Sequence, residues 1–143
     1  MTCPFDLMVS NYKGIVQCIY DDFSDFCNPE YLKITEHGLC NIKYHFGFNH
    51  ETPYHADLYK QEDWEEGPNH FINNNYKHFI TRYNNRISAF KEYLNNPNVN
   101  ITFIIQFVNE VKPDNDFDEL RNALKSKYPN LKYTIVNIPL EIL

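Results

Sequence analysis

An imidazole flanked by an amide and a carboxylate, Asn49-His50-Glu51, closes the run HFGFNHETP, and Pro53 stops it. Imidazole titrates near neutrality and serves as a general base when a carboxylate or amide orients it. His50 is the first candidate for carrying a proton, with Glu51 or Asp6 as the group that orients it. The matching nucleophile would be a thiol, and Cys3 in TCPFD is the candidate; Pro4 confines it to extended backbone. A thiol attacks as the thiolate, so a base or a positive dipole must lower its pKa. Nothing in the local sequence does so, and His50 would have to reach Cys3 through the fold. The opposing reading needs no chemistry: His50 satisfies a carbonyl at a strand end, Cys3 is inert, and Asp6 caps the segment before the first helix.

Arg82 and Arg86 lie one helical turn apart and, with Asn49, suit a carboxylate or phosphate. The alternative is two solvated guanidiniums paired with nearby Asp or Glu. The acidic stretch EDWEEGP surrounds the chain's one tryptophan, Trp64. It reads as a lid over a ligand or, through Glu62, Asp63, Glu65 and Glu66, as a contact surface for a protein partner. His37, Cys40, His45, His50 and His55 are close in sequence but show no pair with zinc-ligand spacing, and His45 and His50 point to opposite faces of a regular strand. Neither a metal nor a cofactor is expected. Four glycines leave no room for a glycine-rich phosphate loop.

These groups must be positioned by elements legible from periodicity. Ile15, Val16, Ile19, Tyr20, Phe23, Phe26 and Cys27 form one helical stripe, started by Ser10 or Asn11 and ended by Asn28-Pro29. Cys18 and Cys27 read as buried helix residues. CNIKYHFGF alternates, with Ile42, Tyr44, Phe46 and Phe48 on one face, and reads as a strand that carries Asn49, His50 and Glu51 at its carboxyl end. A polar loop follows, longer than connections in compact domains usually are. Tyr76, Phe79, Ile80, Tyr83, Ile87, Phe90 and Leu94 mark a long helix over 71–94. ITFIIQFV at 101–108 is apolar on both faces, as in a strand covered on both sides. A third helix, capped by Asp114 or Asp116, buries Phe117, Leu120, Leu124 and Tyr128, and LKYTIVNIP is the last strand.

The order helix, strand, helix, strand, helix, strand predicts an α/β fold: a single domain over 1–143 with a small, mostly parallel sheet and helices on both faces. Ligands of such sheets sit beyond the carboxyl ends of the strands, where His50 falls. At 143 residues, 43% hydrophobic and 16% aromatic, with eleven Phe and eleven Tyr, the core is built on rings. A net charge of −6 offers no basic face to phosphate backbones, so nucleic acid is not an expected partner. Nothing reads as a membrane span or signal peptide, and four scattered cysteines without a CxxC suit a reducing, cytoplasmic setting.

TCPFDLMVSNYKGIVQCIYDDFSDF, NIKYHFGFNHETP and HFINNNYKHFITRYNNRISAF, in that order, resemble a family of predicted papain-like cysteine peptidases known from bacteria and large DNA viruses. The likeness covers about residues 2–108: Pro4-Phe5-Asp6 before an acidic, Phe-rich helix, the histidine after an aromatic strand at His50, and the Arg-bearing helix with Arg82 and Arg86. It implies a cysteine nucleophile, His50 as its base, and a helical part packed on an antiparallel sheet. In the family the nucleophile precedes the PFD segment; Cys3 does not match that position, so the resemblance implies either a shortened chain or a member that has lost catalysis. Two functions follow. One is a thiol-dependent hydrolase, with Cys3 attacking, His50 carrying the proton and Asp6 or Glu51 orienting it. The other is a binding module for a peptide or small polar ligand, in which Asn49, His50, Arg82 and Arg86 hold the ligand under the Trp64 loop.

Overall fold

The computed structural model describes residues 3–58, 64–107 and 115–139, and they form an α/β structure with three helices and two sheets. They fall into two compact units, residues 1–90 and 91–143.

In the first unit, helix α1 (Tyr12–Tyr20) starts at Asn11, whose side chain accepts from the Gly14 amide at 2.7 Å. The same side chain donates to the Tyr44 and His45 carbonyls at 2.8 and 3.2 Å, so one residue caps the helix and fastens it to a distant turn. Gly14 is required there, because a Cβ would stand 2.3 Å from the Tyr44 oxygen. The stripe predicted a helix running on to Cys27; it ends at Tyr20 instead. Asp22 and Phe23 take left-handed φ values of 54° and 62°, Asp22 N–H donates to Ile19 O and Phe23 N–H to Cys18 O, both at 2.9 Å. This is the Schellman arrangement, with Asp in the place glycine usually fills. Phe23 and Phe26 are buried all the same, delivered by the turn rather than by a helix.

Strands β1 (Leu32–Thr35), β2 (Gly38–Asn41) and β3 (Phe46–Gly47) make an antiparallel meander, with Leu32 opposite Asn41 and Cys40 opposite Gly47. The continuous strand expected over 40–48 is broken by a turn at 42–45, where His45 is left-handed with φ 58°. Fully buried Asn41 explains the break. Its Oδ1 accepts from the Lys43 and Tyr44 amides, which folds the chain back, and its Nδ2 donates to the Asp25 and Phe26 carbonyls. Ile42 is consequently 45% exposed while Tyr44, Phe46 and Phe48 are buried.

Helix α2 (Asn73–Leu94) opens with three left-handed residues, Asn74, Asn75 and Tyr76, before its regular turns. Its predicted stripe is buried at Phe79, Tyr83, Ile87, Phe90 and Leu94. Phe79 and Tyr83 meet Phe48 at 4.6 and 5.3 Å between ring centres, Tyr83 also meets Phe26 at 5.2 Å, and Phe90 meets Phe5 and Phe23. The core of this unit is a cluster of rings, as the composition predicted.

In the second unit β4 (Asn100–Phe107) and β5 (Lys132–Pro139) pair in parallel, joined through α3 (Asp118–Lys127). The predicted inward set of α3, Phe117, Leu120, Leu124 and Tyr128, is buried. Phe117 rather than Asp116 stands at the N-cap, without a side-chain bond, and Asp114 lies outside the described residues. β4 is not covered on both faces. Ile101, Phe103 and Ile105 are half-buried, whereas Thr102, Ile104 and Gln106 are exposed, Ile104 by 65%.

One mostly parallel sheet is therefore replaced by an antiparallel sheet of three strands and a parallel pair. The antiparallel sheet is what the family resemblance implied, and the parallel pair is what periodicity predicted. Among the described residues, no helix is long and apolar enough to cross a membrane.

Candidate functional site

His50 sits in a turn, Asn49–Glu51, that follows β3 and is closed by the Glu51 amide on the Phe48 carbonyl at 3.2 Å. Since β3 belongs to the antiparallel sheet, the carboxyl-end rule for parallel sheets does not explain the site. The turn is instead bound to α2. Glu51 is fully buried; Tyr83 Oη donates to its Oε1 at 2.6 Å, and Arg82 Nη1 reaches its Oε2 at 3.3 Å. On the other flank the Asn49 carbonyl contacts His55 Nδ1 at 3.2 Å.

Glu51 therefore acts as an anchor. Both of its oxygens are engaged by α2, which ties the His50 turn to that helix, and the charge of His50 also acts on the carboxylate. Burial raises the Glu51 pKa, and the Tyr83 hydrogen bond and the charges of Arg82, Arg86 and His50 only partly oppose that. Burial likewise raises the Tyr83 phenol, and the neighbouring Glu51 adds to the rise.

The two arginines of α2 differ. Arg82 is committed, paired with Glu51 and stacked on the Phe71 ring at 4.3 Å. Arg86 stacks on the Tyr83 ring at 5.0 Å, and its Nη1 is buried with no hydrogen-bond partner. Two guanidiniums thus face one carboxylate whose oxygens are already engaged. Asn49 Oδ1 and Thr52 Oγ1, from the same turn, are also buried without partners. Buried polar atoms are rarely left so, and each of the three has capacity for a ligand or water.

Cys3 lies in an N-terminal turn whose backbone is closed by the Asp6 amide on the Cys3 carbonyl at 3.1 Å. Burial pushes its thiol up to about 12; the Phe5 amide opposes this weakly and Asp6 reinforces it. Asp6 is exposed, and its effect on Cys3 is to disfavour the thiolate. Cys27 is also pushed up by burial to about 12, and Cys18 is fully buried.

Trp64 is no exposed contact residue. It is 5% exposed and packs edge-on against Phe71 at 5.0 Å and 90°, anchoring its loop. Glu65 and Glu66 remain exposed, while Glu62 and Asp63 lie outside the described residues. The loop is not structureless either, since short 3-10 turns occupy Pro53–Leu58 and Gly67–Asn69.

A second polar cluster, absent from the sequence reading, brings Glu66, His70 and His78 together, with one ligand-type atom of each within 4.8 Å of the others. The left-handed residues 74–76 hide it from a periodicity search, because they break the helical phase between His70 and His78.

Neither a curated protein nor a solved structure matches the chain. A family model does match, over residues 1–141, nearly the whole length, including the His50 turn, the Glu51 anchor and both arginines. The chain belongs to the family described as Putative papain-like cysteine peptidase (DUF1796).

Proposed function

We propose that this member of a hydrolase-type family binds an anionic group, such as a peptide carboxylate, at the His50 turn, and that Cys3 does not turn it over. The observation that carries this reading is Arg86: its Nη1 is buried and has no hydrogen-bond partner among the described residues, while Tyr83 and Arg82 take the two oxygens of Glu51. A carboxylate or phosphate is the complementary partner for such a fork. Asn49 and Thr52 flank His50 and Glu51 in sequence, and Glu51 ties that turn to α2. Burial pushes the Cys3 thiol up to about 12, which argues against its serving as the nucleophile.

Thermal unfolding with N-acetyl-dialanine, its C-terminal amide and inorganic phosphate tests the proposal. The free acid or phosphate raises Tm, the amide does not, Cys3→Ala retains the rise and Arg86→Ala loses it. A rise that is equal for acid and amide, or unchanged in Arg86→Ala, refutes it.

The second reading, a thiol-dependent hydrolase with Cys3 attacking and His50 as its base, is favoured by the family match alone. It requires a thiolate at Cys3.

A further inference from the structure

Glu66, His70 and His78 are placed as a metal site would be. His70 ends the short turn Gly67–Asn69 and is 6% exposed; its amide donates to the Gly67 carbonyl at 3.0 Å. His78 stands on the first regular turns of α2, brought over His70 by the left-handed residues Asn74, Asn75 and Tyr76. The two imidazoles lie face to face, 4.0 Å between centres and 11° apart in plane. Glu66 Oε2 is 3.3 Å from His78 Nε2, the Glu66 amide is 3.3 Å from His70 Nδ1, and Asn74 Nδ2 reaches Glu66 Oε1 at 3.4 Å.

We propose that these three residues bind one divalent transition ion of the zinc class. Two imidazoles and one carboxylate are a borderline-soft nitrogen and oxygen set, suited to Zn²⁺, Co²⁺ or Ni²⁺ rather than to Mg²⁺ or Ca²⁺, which prefer oxygen throughout. Three protein ligands leave a further position for water or an incoming group. Glu66 meets both rings, through its amide on His70 Nδ1 and its carboxylate on His78 Nε2, and a shared ion takes over these contacts. Binding requires the rings to splay, since imidazoles diverge from a common ion. His78 has room to do so, its side chain being 30% exposed, and the contacts to be exchanged are long ones of 3.3 Å. Of the charged groups that act on His70, Arg82 and a protonated His78 oppose a cation, while Glu65 and Glu66 favour it. Arg82 is held by Glu51, and His78 loses its proton on ligation.

The test is titration of the intact chain with Co²⁺, read by its visible absorption, and with Zn²⁺ in competition against a chromophoric chelator. One equivalent binds, and the Co²⁺ bands are more intense than those of the aquo ion and vanish on adding Zn²⁺. Glu66→Gln and His78→Ala, both at partly exposed positions, keep the circular dichroism of the parent. Each weakens binding by more than the roughly 10–100-fold that loss of a supporting group costs a metal site. His37→Ala and His45→Ala, at exposed histidines elsewhere, leave it unchanged. Absence of a bound Co²⁺ spectrum, or binding that persists in the Glu66→Gln/His78→Ala double variant, overturns the assignment and leaves a stacked histidine pair capped by a carboxylate. Neither result bears on the anion site at Arg86, whose test uses no metal.

Discussion

Arg82 and Arg86 are one turn apart on α2, yet Arg82 is paired with Glu51 while Arg86 keeps a buried Nη1 without a hydrogen-bond partner. Arg82 answers Glu51, so the pair behaves as a buried charge whose removal leaves a partner stranded. Glu51→Ala is expected to destabilise by about 3–5 kcal/mol, the usual consequence of breaking a buried pair from one side. Tyr83→Phe removes the 2.6 Å hydrogen bond and should cost about 1–3 kcal/mol, because the Glu51 oxygen is left without its donor. Urea unfolding at neutral pH measures both. Arg86→Ala should leave stability within about 1 kcal/mol of the parent, since it has no hydrogen-bonded partner on Nη1 to strand. A large loss there would mean that Arg86 is structural.

At the scale of elements, what the sequence disclosed depended on whether side chains or backbone decided the outcome. The α2 stripe and the inward face of α3 were legible because burial enforces period 3.6, and Phe79, Tyr83, Leu120 and Leu124 obey it. The end of α1 was not, because an Asp at a left-handed position looks like any other helix residue until the Cys18 carbonyl accepts from Phe23. The strand at 40–48 was misread for a related reason: Asn41 in an apolar alternation gives no sign that its side chain will fold the next four residues into a turn. At the site, His50, Glu51 and both arginines were singled out from the sequence, and the structure joins Glu51 to Arg82. The division between Arg82 and Arg86, and the bonding of Glu51 to Tyr83 and Arg82, depend on long-range packing with no local signature. Two substitutions probe these joints. Asn41→Ala should cost about 2–4 kcal/mol, because two amides and two carbonyls lose their partner together. Gly14→Ala should cost about 1–3 kcal/mol through the clash with the Tyr44 carbonyl, and thermal unfolding would register either.

For the molecule as a whole, pH acts on stability from two directions. Burial raises the Glu51 pKa above its ordinary value of 4.5, so its contribution is most favourable when protonated and is lost as pH rises from about that value through the folded one. Asp21 and Asp25 are shifted the other way. For Asp21, burial is outweighed by hydrogen bonds from Tyr44 and Lys43; for Asp25 the Lys43 hydrogen bond dominates. Both lie below the ordinary 3.8, so their contribution is present above that value and is lost as pH falls through the folded ones. Unfolding free energy followed from pH 2 to 8 should fall off on the acid side in the parent, and less so in Asp21→Asn/Asp25→Asn. Glu51→Gln should flatten the decline above about pH 4.5. The same burial logic governs the thiols, and there it bears on the proposed function. The most direct test is the pH dependence of alkylation at Cys3, read by peptide mass spectrometry in the parent and in His50→Ala. The expected result is slow reaction at neutral pH that accelerates only in strong alkali and is the same in both proteins, since the Cys3 thiol is held up at about 12. Rapid alkylation well below the ordinary thiol value of about 8.5, slowed in His50→Ala, would establish a thiolate–imidazole pair and contradict the binding assignment.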